Sequence, residues 1–263
     1  MCGILAVISK KEIPSLEFIN LLTNIQHRGQ DSFGISYIKN NRIQTHKKNG
    51  MVNVLDNVAN IVSSNIYLGH TRYTTSGERN SSKTNSNEGI HPIFSTFRKE
   101  RYAFIFNGNI PFINPDFNRD TEFIKNFIET RQSFDFRTVL LEFIRQVPRA
   151  FNIVFLYKQK LYAIRDSYGT RPFKFLKTKD DSCIYLSSED YFLENQSWMN
   201  FDIPEGSLTI IDREMDIVTI PTIQNKPIKE TAHCVFEHIY FMNEKSMNDG
   251  FLVKDSRVKM GFL

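Results

Sequence analysis

A cysteine stands at position 2, directly after the first methionine and before a glycine (Met1-Cys2-Gly3). Met aminopeptidases remove methionine ahead of a small second residue, which would leave Cys2 carrying a thiol and a free α-amine together. An α-amine titrates at about 7.7–8.0, so near neutral pH it accepts a proton. A thiol of pKa about 8.5 beside it needs little further help to become the attacking thiolate. Nucleophile and base on one residue is the N-terminal form of the activated nucleophile. Farther on, Phe106-Asn107-Gly108-Asn109 sets a side-chain amide next to a glycine N–H. Such a pair can hold an oxyanion, and glycine lets the backbone approach a substrate closely. Gly69-His70-Thr71-Arg72 follows a strand-like segment and places an arginine at its end.

Each string also has an ordinary structural reading. Cysteine is a common small core residue, and Asn-Gly is a hairpin signal. Gln26-His27-Arg28-Gly29 reads as C-cap chemistry at a helix end, and an N-cap role alone would explain Asp120. The six histidines leave a papain-like Cys–His pair open, but that design sets its cysteine at the start of a helix, whereas a strand pattern follows Cys2.

Short strand-like segments position these residues: Gly3 to Ser9, Phe33 to Ile38, Ile66 to Leu68, Tyr102 to Phe106, Asn152 to Tyr157, Leu161 to Ile164, Ile184 to Leu186 and Leu208 to Ile211. Three helices stand out. Pro14 opens the first, with Phe18, Leu21, Leu22 and Ile25 on one face. The second follows Asp120 (Phe123, Ile124, Phe127, Ile128) and the third follows Asp135 (Val139, Leu140, Phe143, Ile144). Helices grouped between runs of strands predict a layered α+β domain. No Gly-x-Gly-x-x-Gly turn follows a strand, which leaves a dinucleotide fold without support. Ser76 to Gly89 reads as a polar loop, and a second break lies near Pro221 to Glu230.

Composition narrows the function classes. The chain is 41% hydrophobic and 24% charged, as expected of a globular protein with an ample core. A net charge of +4 with only scattered basic pairs gives no stripe for nucleic acid. No stretch approaches the roughly 18 apolar residues of a membrane span, and no signal segment opens the sequence. Cys2, Cys183 and Cys234 form no CxxC pair and suit a reducing compartment, so the expected location is cytoplasmic.

Taken in order, Cys2-Gly3-Ile4, Gln26 to Ser32, Gly69 to Thr75, Asn107-Gly108-Asn109, Asp120-Thr121-Glu122, Arg165 to Pro172 and Ser188-Glu189 make this chain similar to the class II glutamine amidotransferases. The resemblance is greatest to the glutaminase half of the amidophosphoribosyltransferase branch. The tail from Cys234 to Phe241 resembles the segment where that branch passes into its phosphoribosyltransferase half. The resemblance implies a four-layer αββα antiparallel sandwich of the N-terminal-nucleophile hydrolase type. It also implies a division into residues 1–230, the amidotransferase domain, and 231–263, the tail. The implied activity is hydrolysis of L-glutamine to glutamate and ammonia through a Cys2 glutamyl-thioester, with a separate synthase as possible ammonia acceptor. Asn107 and the Gly108 N–H are then the oxyanion donors. Arg72 is the clamp on the substrate α-carboxylate, Asp120 the partner of its α-ammonium, and Arg28 a support for the chain terminus. His70 and Thr71 complete the implied substrate-binding set.

Departures from the family pattern surround this set without removing any member of it. Ile110-Pro111-Phe112 follows Asn109 in place of the usual leucine, the polar loop before His91-Pro92 is long, Arg149 replaces a glycine, and Met242 to Ser246 replaces Ala-Arg-Pro-Asp-Ser. The sequence reaches no phosphoribosyl-diphosphate loop before Leu263, so phosphoribosylamine synthesis by this chain alone is not expected. Cys234 lacks the companions an iron–sulfur cluster needs, and no metal or cofactor is expected. Two competing readings are a non-catalytic glutamine-sensing or interaction domain and a hydrolase of another amide. Arg72 with Asp120 argues for an amino-acid head group and against the latter.

Overall fold

A computed structural model of the chain describes residues 1–53, 62–74, 89–110, 117, 119–147, 150–193, 197–222, 232–248 and 250–262. The first apolar run becomes strand β1 (Gly3–Ile13). It is apolar at successive positions because both of its faces are covered. Ile4, Ala6 and Ile8 belong to a core between two sheets, whereas Leu5 and Val7 pack with Phe18, Ile19 and Leu22 of helix α1 (Ser15–Asn24).

Strand β1 pairs antiparallel with β4 (Ser64–Arg72) on one side and β10 (Cys183–Ser187) on the other. Beyond β4 lie β2 (Ser32–Lys39) and β3 (Arg42–Asn49); beyond β10 lie β9 (Lys174–Thr178) and β11 (Ser197–Asp202). Among the described residues this first sheet has seven strands. The second has six, ordered β13 (Ile217–Pro221), β12 (Ser207–Ile211), β8 (Lys160–Arg165), β7 (Phe151–Tyr157), β6 (Glu100–Gly108) and β5 (Ile93–Phe97).

Ala6, Ile8, Ile66 and Leu68 of the first sheet meet Ala103, Ile105, Val154, Leu156 and Ala163 of the second in one buried cluster. Helices α2 (Asp120–Thr130) and α3 (Phe136–Gln146) cover the other face of the second sheet, where Ile124, Val139, Leu140 and Phe143 pack on Phe104, Phe151 and Phe155. Helix, sheet, sheet and helices thus form the α+β sandwich implied by the family resemblance. No helix among the described residues is long and apolar enough to cross a membrane.

All eight predicted strands are present, each within a longer observed one. Those the sequence pattern passed over, β3, β5, β9, β11 and β13, are short or polar. β3 lies at the sheet edge with no fully buried side chain and no strict alternation. Its connection to β2 and two others turn on paired left-handed residues: Asn40 and Asn41 (φ 49° and 59°), Arg98 and Lys99 (51° and 71°), Lys158 and Gln159 (46° and 58°). These are tight two-residue hairpins made without the glycine that would advertise them.

Three local readings need correction. Helix α1 ends at Asn24, followed by a 3-10 turn over Gln26–Arg28, and Gly29 is extended and does not form a left-handed cap. Glycine is required there because a Cβ would lie 2.4 Å from the Arg72 carbonyl carbon. Asn107-Gly108 is no hairpin turn: both residues stay in β6, paired with Asn152 and Phe151. Asp120 is the first helical residue of α2 and not its N-cap, which is Arg119. Residues 76–88 of the polar loop, Pro111, Phe112, Arg149, residues 223–230 and the 230/231 boundary between domain and tail lie outside the described residues.

The C-terminal segment comprises a π-helical turn (Glu237–Phe241), a short hairpin of β14 (Met247–Asn248) and β15 (Phe251–Leu252), and helix α4 (Val253–Gly261). It lies on the sandwich: Ala232 and Cys234 donate backbone N–H groups to the carbonyls of Tyr168 and Thr170.

The layered core should dominate stability over any single cap. Asp135 caps α3 by accepting from Arg137 N and Thr138 N, and Asp135→Ala should cost about 1 kcal/mol. Phe155→Ala, which empties the core beneath α3, should cost about 3–5 kcal/mol. Equilibrium denaturation measures both, and equal losses would contradict this layering.

Candidate active site

The start of β1 and the end of β6 belong to different sheets, and they meet at Cys2. Gly3 fits close beside β4 in its own sheet, since a Cβ there would lie 2.4 Å from Thr71 Oγ1. Cys2 N donates to Asn107 Oδ1 across 3.2 Å, and Cys2 Sγ lies 3.9 Å from the Tyr73 carbonyl oxygen. An amide that accepts through Oδ1 must present its two N–H donors elsewhere. Asn107 Nδ2 is buried and has no hydrogen-bond partner among the described residues. Gly108 follows it, in a place where a Cβ would lie 2.4 Å from the Ala150 carbonyl oxygen. Close packing of β6 against the chain before β7 therefore excludes any side chain beside the unpartnered amide.

The carbonyl of Cys2 is held by a buried arginine. Arg28 Nε donates to Cys2 O at 3.2 Å. Its Nη1 donates to Glu189 Oε1 at 2.8 Å and Glu237 Oε2 at 3.0 Å, and Nη2 donates to Glu237 Oε1 at 2.8 Å. The side chains of Arg28 and Glu189 are 0% exposed and that of Glu237 1%. Charges so completely removed from water persist only when paired and hydrogen-bonded. Glu189 meets the condition with three further donors: His27 Nε2 at 2.8 Å, Asn243 N at 2.9 Å and Ser246 Oγ at 2.8 Å. Burial alone would raise the Glu189 carboxyl, but His27 and Arg28 beside it hold it down to about 2. Burial likewise opposes the Arg28 charge, and the two carboxylates outweigh it, so the guanidinium is more basic than usual.

The remaining sequence-derived residues surround this centre. His70 and Thr71 are fully buried. His70 Nε2 lies 3.0 Å from the Phe106 carbonyl oxygen, so that nitrogen carries the proton and donates. Thr71 Oγ1 donates to the Ile25 carbonyl oxygen at 3.4 Å. Both side chains thus bond to the scaffold around Cys2 and Asn107. Arg72, half-buried at the end of β4, lays its guanidinium against Gly89, where a Cβ would come within 2.7 Å of Nη1. Asp120 turns back from α2 to accept from Ile110 N at 3.4 Å, close to the Asn107-Gly108 segment. Burial raises its carboxyl above the ordinary value, partly offset by that hydrogen bond.

The structure thus joins Cys2, Asn107 and Arg28 directly and sets Asp120 one bond from the chain after Asn109. Glu189 and Glu237 received no role from the sequence, although both lie in strings noted there. The available signal was an acidic residue inside an otherwise apolar segment, as in Cys234-Val235-Phe236-Glu237-His238-Ile239. Cys234 Sγ accepts from Arg171 Nη1 at 3.5 Å. No group of three or more His, Cys, Asp or Glu among the described residues is placed to hold a metal.

Beneath the site His70 and His91 lie ring to ring, 4.3 Å between centroids. Burial lowers His70 to about 3 and carries His91 well below its ordinary value, so both are neutral at pH 7. A base whose folded pKa is depressed supports the fold fully above its unfolded pKa, here 6.5, and loses that support as pH falls toward the folded value. Unfolding free energy should therefore drop between about pH 7 and about pH 5, by about 2 kcal/mol from His70, with His91 adding to the loss in the same direction. Denaturant titrations at the two pH values measure this, and a flat profile would contradict the neutral buried pair.

No family model matches the chain. Amidophosphoribosyltransferase of Methanothermobacter thermautotrophicus is 28% identical over 280 residues, covering 99% of this chain and 56% of that protein. The human amidophosphoribosyltransferase is 25% identical over 303 residues, covering 99% and 57%. The chain spans about half the length of these curated relatives. Among solved structures, glutamine phosphoribosylpyrophosphate amidotransferase from B. subtilis, complexed with ADP and GMP, superposes with a TM-score of 0.78 at 20% identity, covering 96% of this chain and 55% of that one. A structure described as the allosteric regulatory enzyme of purine biosynthesis gives 0.79 at 21% identity, with the same coverage. The chain has the α+β sandwich of these enzymes and resembles, along its whole length, the class II glutamine amidotransferase part of amidophosphoribosyltransferase.

Proposed function

We propose that the chain is a class II glutamine amidotransferase-type glutaminase that uses Cys2 to convert L-glutamine to glutamate and ammonia. One observation carries the reading: Asn107 holds the Cys2 nitrogen with Oδ1 and keeps its buried Nδ2 unpartnered next to Gly108. Once Met1 is removed, that nitrogen is the α-amine. It takes the thiol proton, and the thiolate attacks the side-chain carbonyl carbon of glutamine. Asn107 Nδ2 and the Gly108 N–H hold the developing oxyanion, a contribution of about 2.7–4 kcal/mol per donor. The amine returns the proton to the departing ammonia. Water then attacks the thioester, releasing glutamate and restoring the thiol.

Arg72 clamps the substrate α-carboxylate with parallel N–H donors, and Asp120 pairs with its α-ammonium. Arg28 fixes the Cys2 carbonyl. His70 and Thr71 act through the scaffold, since their side chains are buried and bonded to Phe106 and Ile25. The ammonia goes to a separate synthase, and the reaction takes place in the cytoplasm. A second reading, a glutamine-sensing interaction domain without turnover, is favoured by the exposed Val235, Phe236, Ile239 and Tyr240, an apolar surface suited to a partner.

Purified protein whose intact mass shows loss of Met1 should release glutamate from glutamine, and Cys2→Ala should abolish the release. Asn107→Ala should lower kcat about 10²–10³-fold, whereas Arg72→Lys should act mainly on KM. Turnover that survives Cys2→Ala would exclude the mechanism. Calorimetric glutamine binding without glutamate release would select the sensing domain.

A further inference from the structure

The C-terminal segment reaches the nucleophile through one side chain. Glu237, from the π-helical turn, gives both carboxylate oxygens to Arg28, and Arg28 passes its Nε–H to the Cys2 carbonyl. The same segment is fastened at Glu189, which accepts from Asn243 N and Ser246 Oγ, and at Asp190, which accepts from Met247 N at 3.1 Å. Every one of these anchors lies within two residues of the other Arg28 carboxylate. Whatever loosens residues 237–247 therefore removes half of the negative charge that holds the guanidinium.

We infer that Glu237 is a positioning residue for the nucleophile: by fixing the Arg28 guanidinium it sets the place of Cys2, so docking of the C-terminal segment governs reactivity of the thiol. The inference rests on the proposed role of Cys2. Two physical effects carry it. The first is geometric, because a bidentate pair fixes the plane of the guanidinium and thus the direction of its Nε–H. The second is electrostatic. The charged and titratable groups around the Met1 amine, next to Cys2, are Cys2, Arg28, Glu237 and Arg171, with His70 beneath. In the chain that still carries Met1, burial is the main cause lowering the Met1 amine; Cys2 and Glu237 oppose the drop, while Arg28 and Arg171 add to it. Neutralising Glu237 leaves the Arg28 charge less countered beside Cys2, and a nearby uncompensated cation favours thiolate over thiol.

Glu237→Gln keeps the size and acceptor oxygen while removing the charge. In this variant kcat for glutamate release should fall about tenfold or more, with KM within about twofold of the parent. The pH midpoint of Cys2 alkylation by iodoacetamide, followed on the Cys2 peptide by mass spectrometry, should move down by about half a unit. A folded variant with the parent's kcat and midpoint overturns the inference, as does a lowered Tm with both values unchanged, the signature of a purely structural contact. Should Glu237→Gln not fold, Ser246→Ala removes one anchor of the same segment, and a drop in kcat of about threefold is expected; unchanged kcat and midpoint there overturn the inference equally. A parent protein that releases no glutamate would defeat the glutaminase reading alone, because the alkylation midpoint still reports on Glu237.

Discussion

Arg28 carries a charge with no access to water, and the folded arrangement around it exists to satisfy that charge. Its four hydrogen bonds reach the main chain of Cys2, the end of the β10 segment at Glu189 and the C-terminal segment at Glu237. Three parts of the chain distant in sequence are thereby held to one guanidinium. Removing a partner from such a group leaves an uncompensated buried charge, which costs about 3–5 kcal/mol. Two carboxylates against one arginine leave an excess of negative charge, met by His27 and by N–H and O–H donors from Asn243 and Ser246. The network is electrostatically closed only when the C-terminal segment is in place.

A second constraint acts between the sheets. Cys2 precedes β1 in one sheet and Asn107 is the penultimate residue of β6 in the other, so their hydrogen bond spans the seam of the sandwich. Small residues keep that seam narrow. Ala6 and Ala103 lie within the core between the sheets. His70 reinforces the junction by reaching from β4 to the Phe106 carbonyl, one residue before Asn107. Backbone and buried side chains, not mobile surface groups, thus fix the distance between the cysteine and the amide.

The C-terminal segment buries polar as well as apolar side chains. Glu237, Ser246 and Asn248 face inward, whereas Val235, Phe236, Ile239 and Tyr240 are exposed. Met242 and Val253 are buried as well, and the carboxylates of Glu189, Asp190 and Glu237 supply the polar anchors. Its association thus responds to charge and hydrogen-bond partners as well as to apolar burial, and it leaves an apolar surface outward.

Much of this was legible in the sequence. Continuous runs such as Ile4 to Ile8 and the amphipathic helices after Pro14, Asp120 and Asp135 encode local periodicity, and a strong periodicity is enough to show that an element forms. The types Cys2, Asn107-Gly108 and Arg72 announced their chemistry because few other residues perform it. Edge strands such as β3 stayed hidden, since partial burial leaves no strict alternation to read. Glu189 and Glu237 stayed hidden for a deeper reason. A carboxylate in an apolar string has no meaning until its cation is known, and that cation, Arg28, lies 161 and 209 residues away. Which glutamate meets which arginine, and which atom of Asn107 faces Cys2, are long-range pairings that only the packing of two sheets and a terminal segment could decide.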